Sequence, residues 1–175
     1  MTSLEGEVRH RIRDVADFPK AGVLFKDITP LLTDPILMGR VMDWMAQDCE
    51  SVDRIVAIES RGFLFSTGLS ERTGKPTAPA RKAGKLPWKT VGTEYQLEYG
   101  TAKLELHVDA LQAGERVLIV DDLLATGGTA EAAIDLVRQL GGTVLGCTFL
   151  IELGFLPGRE RLAALGVPVR SLVTY

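Results

Sequence analysis

The sequence predicts an α/β domain with a mostly parallel central sheet flanked by helices, and three observations predict it. Asp53–Ile58 (DRIVAI), Val117–Val120 and Thr143–Leu153 are short, nearly continuous apolar runs without period-two alternation, as in strands covered on both faces. Helical apolar spacing follows the first two of these runs. The chain has 175 residues, 46% of them apolar, which suits one domain with a substantial core. Strands alternating with helices in this way build a parallel sheet with its crossovers on the faces.

From the amino terminus, Glu5–Phe18 places Val8, Ile12 and Val15 on one face of a helix that Phe18-Pro19 ends. Ala21–Pro30 reads as an edge strand or covering segment, so residues 1–33 form a region laid over the core. Asp34-Pro35 is a helix start, with Asp34 as N-cap and Pro35 in the first turn. Ile36, Leu37, Val41, Trp44 and Met45 supply that helix's stripe. After the strand Asp53–Ile58, a helix over Gly62–Glu71 ends near Thr73-Gly74, and Thr77–Ala80 is a second central strand. Residues 81–101 are polar, basic and interrupted by Gly84, Pro87 and Gly92, which predicts a flexible excursion from the core with hairpin character. Leu104, Leu106 and Val108 alternate with Glu105 and His107, a half-exposed strand. The strand Val117–Val120, a helix over Gly128–Leu140, the strand Thr143–Leu153, a short helix over Pro157–Leu165 and a strand over Val167–Val173 complete one domain, 1–175. Within these patterns Glu152 reads as structural and His107 as a surface residue.

Composition narrows the function. A formal charge of −3 lacks the basic excess of a non-specific nucleic-acid binder, although a local cluster can still bind an anion. Cys49 and Cys147 lie far apart in apolar settings and read as buried thiols. No His cluster suggests zinc, and neither GxGxxG nor a P-loop is present. With no leader-like segment and no run of transmembrane length, a cytoplasmic protein is expected.

The chemistry concentrates in Arg116–Thr129 (RVLIVDDLLATGGT). A buried strand leads into Asp121 and Asp122, and then into a small-residue turn, Ala125–Thr129, at the head of a helix. Backbone N–H groups in such a turn can wrap a phosphate, helped by the Thr126 and Thr129 hydroxyls and the conformational latitude of Gly127 and Gly128. Adjacent carboxylates would repel that phosphate, so their economical role is to hold the two hydroxyls of a ribose, with a divalent metal as a possible companion. Two acids at a strand end are in other settings merely solvated or capping; the adjoining TGGT favours the sugar-phosphate reading. Glu59-Ser60-Arg61-Gly62 follows another buried strand, where ligands gather in open α/β sheets. Arg81, Lys82, Lys85 and Lys89 form a basic run suited to a leaving group of growing negative charge.

VLIVDDLLATGGT resembles the phosphoribosyl pyrophosphate signature of the type I phosphoribosyltransferases, and AGVLFKDITP, ESRGF, RKAGKLP and LEYG place the likeness in the family's adenine-using branch. The resemblance implies transfer of a 5-phosphoribosyl group to adenine, giving AMP and pyrophosphate in purine salvage. It implies that Ala125, Thr126, Gly127, Gly128 and Thr129 bind the 5′-phosphate, while Asp121 and Asp122 meet the ribose. Glu59, Ser60, Arg61, Lys82 and Lys85 would hold the diphosphate, the first through a turn that often contains a cis peptide. Leu24, Phe25 and Lys26 would lie around the base as a hood, Leu123 would flank its other face, Leu124 would be among the substrate-binding residues, Glu98 would be the general acid/base candidate and Tyr99 would stand beside it. The family often has proline before the glycine where this chain has Ala21, and arginine where it has Lys26. Mg²⁺ is expected to bind mainly through phosphoribosyl pyrophosphate and water, without a protein cage. A homodimer is expected, with no nucleic-acid or membrane partner. Two rival readings compete: a member acting on hypoxanthine, guanine or xanthine, and a regulator that kept the pocket.

Overall fold

The computed structural model describes residues 3–96 and 101–175. The chain divides into two units, Met1–Trp44 and Met45–Tyr175. In the first, helix α1 spans Leu4–Arg11, with the Ser3 hydroxyl accepting from Gly6 N–H. The helix expected to reach Phe18 stops at Ile12, whose backbone is extended, and Arg13–Ala16 becomes strand β1. Its partner is β2, Leu24–Asp27, running antiparallel from Arg13↔Asp27 to Ala16↔Leu24. Cross-strand hydrogen bonds thus outcompete a local apolar spacing that also fits a helix. Helix α2 covers Thr29–Leu32 and α3 covers Pro35–Ala46. Asp34 caps α3 as expected, its Oδ1 accepting from Leu37 N–H at 3.0 Å. The stripe of α3 differs by one position, since Ile36 is exposed and Met42 is buried.

The second unit is built on a seven-stranded sheet: β3 (Arg54–Ile58), β4 (Thr77–Lys82), β5 (Thr90–Gln96), β6 (Thr101–His107), β7 (Arg116–Leu124), β8 (Thr143–Glu152) and β9 (Val169–Thr174). Their spatial order is β5-β6-β4-β3-β7-β8-β9. The five strands from β4 to β9 in that order are parallel, and β6 pairs antiparallel with both β4 and β5. The expected hairpin is therefore present, with β5 and β6 as its arms. Helices α4 (Gly62–Thr73), α5 (Gly128–Gln139) and α6 (Gly158–Ala164) complete the unit. From β3 the chain crosses by α4 to β4, and from β7 it crosses the other way by α5 to β8. Right-handed crossovers in opposite directions put their helices on opposite faces and open a crevice between β3 and β7.

The core includes Val56, Ile58, Val117, Ile119, Ile134, Leu136, Val137 and Phe149. Cys49 and Cys147 are buried free thiols, and burial pushes them up to about 11 and about 12. Glu152 is structural as expected, receiving Arg159 Nε at 2.7 Å. His107 departs from the surface assignment, because its Nε2 is enclosed without a hydrogen-bond partner. The alternation in Leu104–His107 misleads there: β6 is an interior strand, and Leu104, Glu105 and Leu106 are buried in succession. No helix among the described residues is long and apolar enough to cross a membrane.

Phe65 of α4 is fully buried. Phe65→Ala should cost about 3–5 kcal/mol in urea unfolding, through lost apolar transfer and the cavity left behind. A loss under ~1 kcal/mol would mean that the helix does not seal this core.

Candidate active site

The crevice between β3 and β7 is a cleft of about 370 Å³. Ile58–Arg61 line one side, Asp121–Ala130 another, and Lys82, Tyr95, Leu104 and Phe149 complete it. Strand β7 continues four residues beyond the expected Val120, so both acids lie within the strand, paired along β8 as far as Leu124↔Glu152. Successive strand residues face opposite ways, and the two acids have different surroundings. Asp122 is buried, and its Oδ2 lies 2.9 Å from Arg61 Nη2. Asp121 turns back on the strand, its Oδ1 accepting from Asp122 N–H at 2.8 Å.

Burial raises the pKa of Asp121 well above the usual carboxylate range, and the neighbouring Asp122 charge adds to the rise. Asp122 is also raised by burial, while the Arg61 guanidinium pulls the other way. Among the described residues the pair has Arg61 as its contacting cation. Such a site is poor for a bare anion and good for hydroxyl donors or for ligand-borne cations.

The turn after β7 supplies the opposite polarity. Gly127 sits at φ +81° at the N-cap of α5, in the left-handed region that favours glycine, and no capping side chain competes for the first-turn N–H groups. Thr126–Ala130 all line the cleft. The loop's position depends on Gly158 at the start of α6, where a Cβ would stand only 2.2 Å from the Ala125 carbonyl oxygen. Sequence reasoning missed that residue; PGRE reads locally as a helix start, and the close approach joins segments remote in sequence. Tyr95 was missed too, and only its place in the hairpin aims it at the cleft. Gly62 sits where α4 meets β7. A Cβ there would lie 2.8 Å from Val120 O and 3.1 Å from Asp121 Oδ1, so its smallness lets α4 start against β7.

The Glu59–Ser60 peptide is cis. The Glu59 side chain points along the sheet, its Oε1 accepting from Arg81 Nη2 at 2.9 Å and its Oε2 from Lys82 N–H at 3.0 Å. The Arg81 guanidinium holds that carboxyl below the usual range. Among the other expected residues, Ser60, Arg61, Lys82, Leu123 and Leu124 line the cleft, whereas Lys85 is exposed outside its lining. Leu24, Phe25 and Lys26 lie in β2 of the amino-terminal unit. There the Phe25 ring meets Phe18 edge-on at 5.0 Å, and buried Lys26 Nζ donates to Asp14 Oδ1 at 2.7 Å. Glu98 and Tyr99 lie outside the described residues. Among the described residues no group of three or more His, Cys, Asp or Glu side chains is arranged to hold a metal ion.

A raised carboxyl favours the folded state only while protonated, so its contribution is complete in acid and is lost as pH climbs from the ordinary Asp value through the raised one. Asp121→Asn should therefore match the parent's Tm at low pH and exceed it at pH 8 by about 3 °C or more, the displacement of ~1 kcal/mol in a chain of this size. Equal Tm values across the whole pH range would refute a destabilising carboxylate at 121.

Comparison with known proteins agrees with this geometry. The family model of the phosphoribosyl transferase domain matches residues 29–161. An adenine phosphoribosyltransferase of Anaeromyxobacter sp. is 52% identical, with 100% of this chain and 99% of that protein covered. One from Thermobifida fusca is 51% identical over 93% of each. Among solved structures, the adenine phosphoribosyltransferase of Thermoanaerobacter pseudethanolicus superposes with a TM-score of 0.93 at 48% identity, covering 99% of this chain and 100% of that one. The Saccharomyces cerevisiae enzyme, solved with an imino-altritol bisphosphate and adenine, gives 0.92 at 39% identity, covering 98% and 99%. An acid pair, a glycine turn and an arginine gathered at the sheet's switch point thus accompany relatives about half identical over nearly the whole chain and a matching fold, and the chain belongs to the phosphoribosyltransferase family, among the adenine phosphoribosyltransferases.

Proposed function

We propose that the chain transfers the 5-phosphoribosyl group of phosphoribosyl pyrophosphate to adenine, releasing AMP and pyrophosphate. The observation that carries this reading is the joint lining of one cleft by Asp121, Asp122, Arg61 and the turn Ala125–Thr129. The base nitrogen N9 attacks C1 of the ribose while the bond from C1 to the diphosphate oxygen breaks, and its electron pair leaves with the diphosphate. The configuration at C1 inverts. Ala125–Thr129 holds the 5′-phosphate through backbone N–H groups. Asp121 and Asp122 accept from the ribose hydroxyls and orient C1, so much of the acceleration comes from positioning. Arg61, Lys82 and Lys85 draw the diphosphate away, and the Glu59–Ser60 turn shapes that end. Leu123 and Leu124 border the base, and the resemblance assigns Leu24, Phe25 and Lys26 to it as well. Glu98 handles the proton that the base gives up, with Tyr99 beside it.

Mg²⁺ fits the donor set as a passenger of the substrate. Two carboxylates, one already beside Arg61, suit an ion that brings most of its oxygens with it. Asp121 and Asp122 are the acids that would face it, and when bound it neutralises diphosphate charge. We also propose a cytoplasmic homodimer without nucleic-acid or membrane partners. Two free thiols suit a reducing compartment, exposed Leu24 and Trp88 offer apolar surface to a second subunit, and the net charge is −3.

A base panel with labelled phosphoribosyl pyrophosphate should show turnover with adenine and little with hypoxanthine, guanine or xanthine; the reverse ranking would overturn the reading. Glu98→Ala should lower kcat about 10²-fold, and unchanged turnover would remove that glutamate from proton transfer. Gly158→Ala displaces the phosphate turn, so its KM for phosphoribosyl pyrophosphate should rise more than about tenfold while KM for adenine stays close to the parent's. Equal change in both would show that the glycine serves folding alone.

A further inference from the structure

The turn Lys82–Lys85 differs from the 5′-phosphate turn in what its backbone does. All four of its consecutive N–H groups are taken inside the protein. Lys82 N–H donates to Glu59 Oε2 at 3.0 Å and Ala83 N–H to Lys103 O at 3.0 Å. Gly84 N–H donates to Glu105 Oε2 at 3.0 Å, and Lys85 N–H to Lys82 O at 3.2 Å. The last bond closes a four-residue β-turn in which Gly84, at φ +76°, holds the third position, the place where a positive φ is required in type II turns. Arg81 Nη1 adds a clamp, donating to Lys85 O at 2.9 Å. A loop with its amides engaged in this way can offer an anion only side-chain cations, those of Lys82 and Lys85.

Glu105 stands out in that scaffold because a buried carboxylate under a basic turn needs a reason. It is 8% exposed, and bonding to Gly84 N–H, with Lys103 Nζ at 3.2 Å, holds it below the usual carboxylate range. Room for the arrangement comes from Gly92, which faces Glu105 across β5 and β6. A Cβ at Gly92 would lie 2.2 Å from Lys103 Cε and 3.3 Å from Glu105 Cγ. Glu105 itself is not among the residues lining the cleft, and its carboxylate meets the basic turn at Gly84 N–H.

We propose that Glu105 is a positioning residue for the leaving diphosphate, holding the Lys82–Lys85 turn so that two ammonium groups rather than backbone amides meet the anion. The proposal rests on the phosphoribosyl-transfer reading and deepens it. Glu105→Ala frees Gly84 N–H and should raise KM for phosphoribosyl pyrophosphate, and for pyrophosphate in the reverse reaction, about tenfold. KM for adenine and for AMP should stay within about twofold. Glu105→Gln keeps an acceptor for Gly84 N–H and should recover to within about threefold of the parent. Gly84→Ala disturbs the same turn at an exposed site where a Cβ meets nothing within 4 Å, so it should reproduce the split even if Glu105→Ala folds poorly. Pyrophosphate with magnesium, titrated calorimetrically into each folded variant, should rank affinities in the same order. Uniform changes in all four KM values, or lower Tm with unchanged KM values, would overturn the role. Absence of adenine turnover by the unmodified chain would instead overturn the underlying reaction, leaving the pyrophosphate titration to judge Glu105 separately.

Discussion

Two consecutive carboxylates in the central strand, Asp122 buried and Asp121 half-buried, are the constraint around which this molecule is arranged. Asp121 and Asp122 are both shifted toward protonation by loss of solvent, the first also by its neighbour's charge. An apolar pair at those positions would pack a parallel strand more comfortably, as Val117–Val120 do immediately before them. Several local features answer to that charge. Arg61 stands at the head of α4 with its guanidinium on Asp122, and α4 can begin there because Gly62 has no Cβ to strike Val120 and Asp121. The crossovers run in opposite directions from this point, leaving the crevice where charged groups can face a ligand rather than a helix. A strained electrostatic arrangement at one place, in an otherwise apolar core, is the signature of a site kept for chemistry.

Features signalled by neighbouring residues were readable from sequence. Asp34 before Pro35 announces a helix start, Gly74 a helix stop, and both occur as read. Buried strands were legible as uninterrupted apolar runs, and the acid pair with its glycine turn as chemistry. Errors arose where distant pairing decides the outcome. Arg13–Ala16 is a strand because Leu24–Asp27 lies beside it, and β7 runs on through its acids because β8 continues alongside to Glu152. Alternation across Leu104–His107 suggested a half-exposed strand, but an interior place in the sheet buries Glu105 and His107 Nε2. Gly158 illustrates the limit well: its small size matters through Leu124 and Ala125, 34 and 33 positions earlier, and nothing in PGRE points there.

In the proposed reaction the two ends of the sugar diphosphate call for different physics. The 5′-phosphate keeps its charge and position throughout, so a rigid turn of backbone donors at a helix head suits it and needs no rearrangement between ground and transition state. The diphosphate gains charge as its bond to C1 breaks and must then depart. Lysine ammonium groups on flexible stems can follow that growing charge and release it, which fixed amides cannot do as readily. A mobile side chain is useful only if its root is steady, and the turn carrying Lys82 and Lys85 has every backbone N–H tied down. Glu59 links this rooted turn to the Glu59–Ser60 peptide at the end of β3, the strand that also leads into Arg61. One carboxylate therefore sets the basic turn in register with the arginine, and through Arg61 with Asp122 of the acid pair.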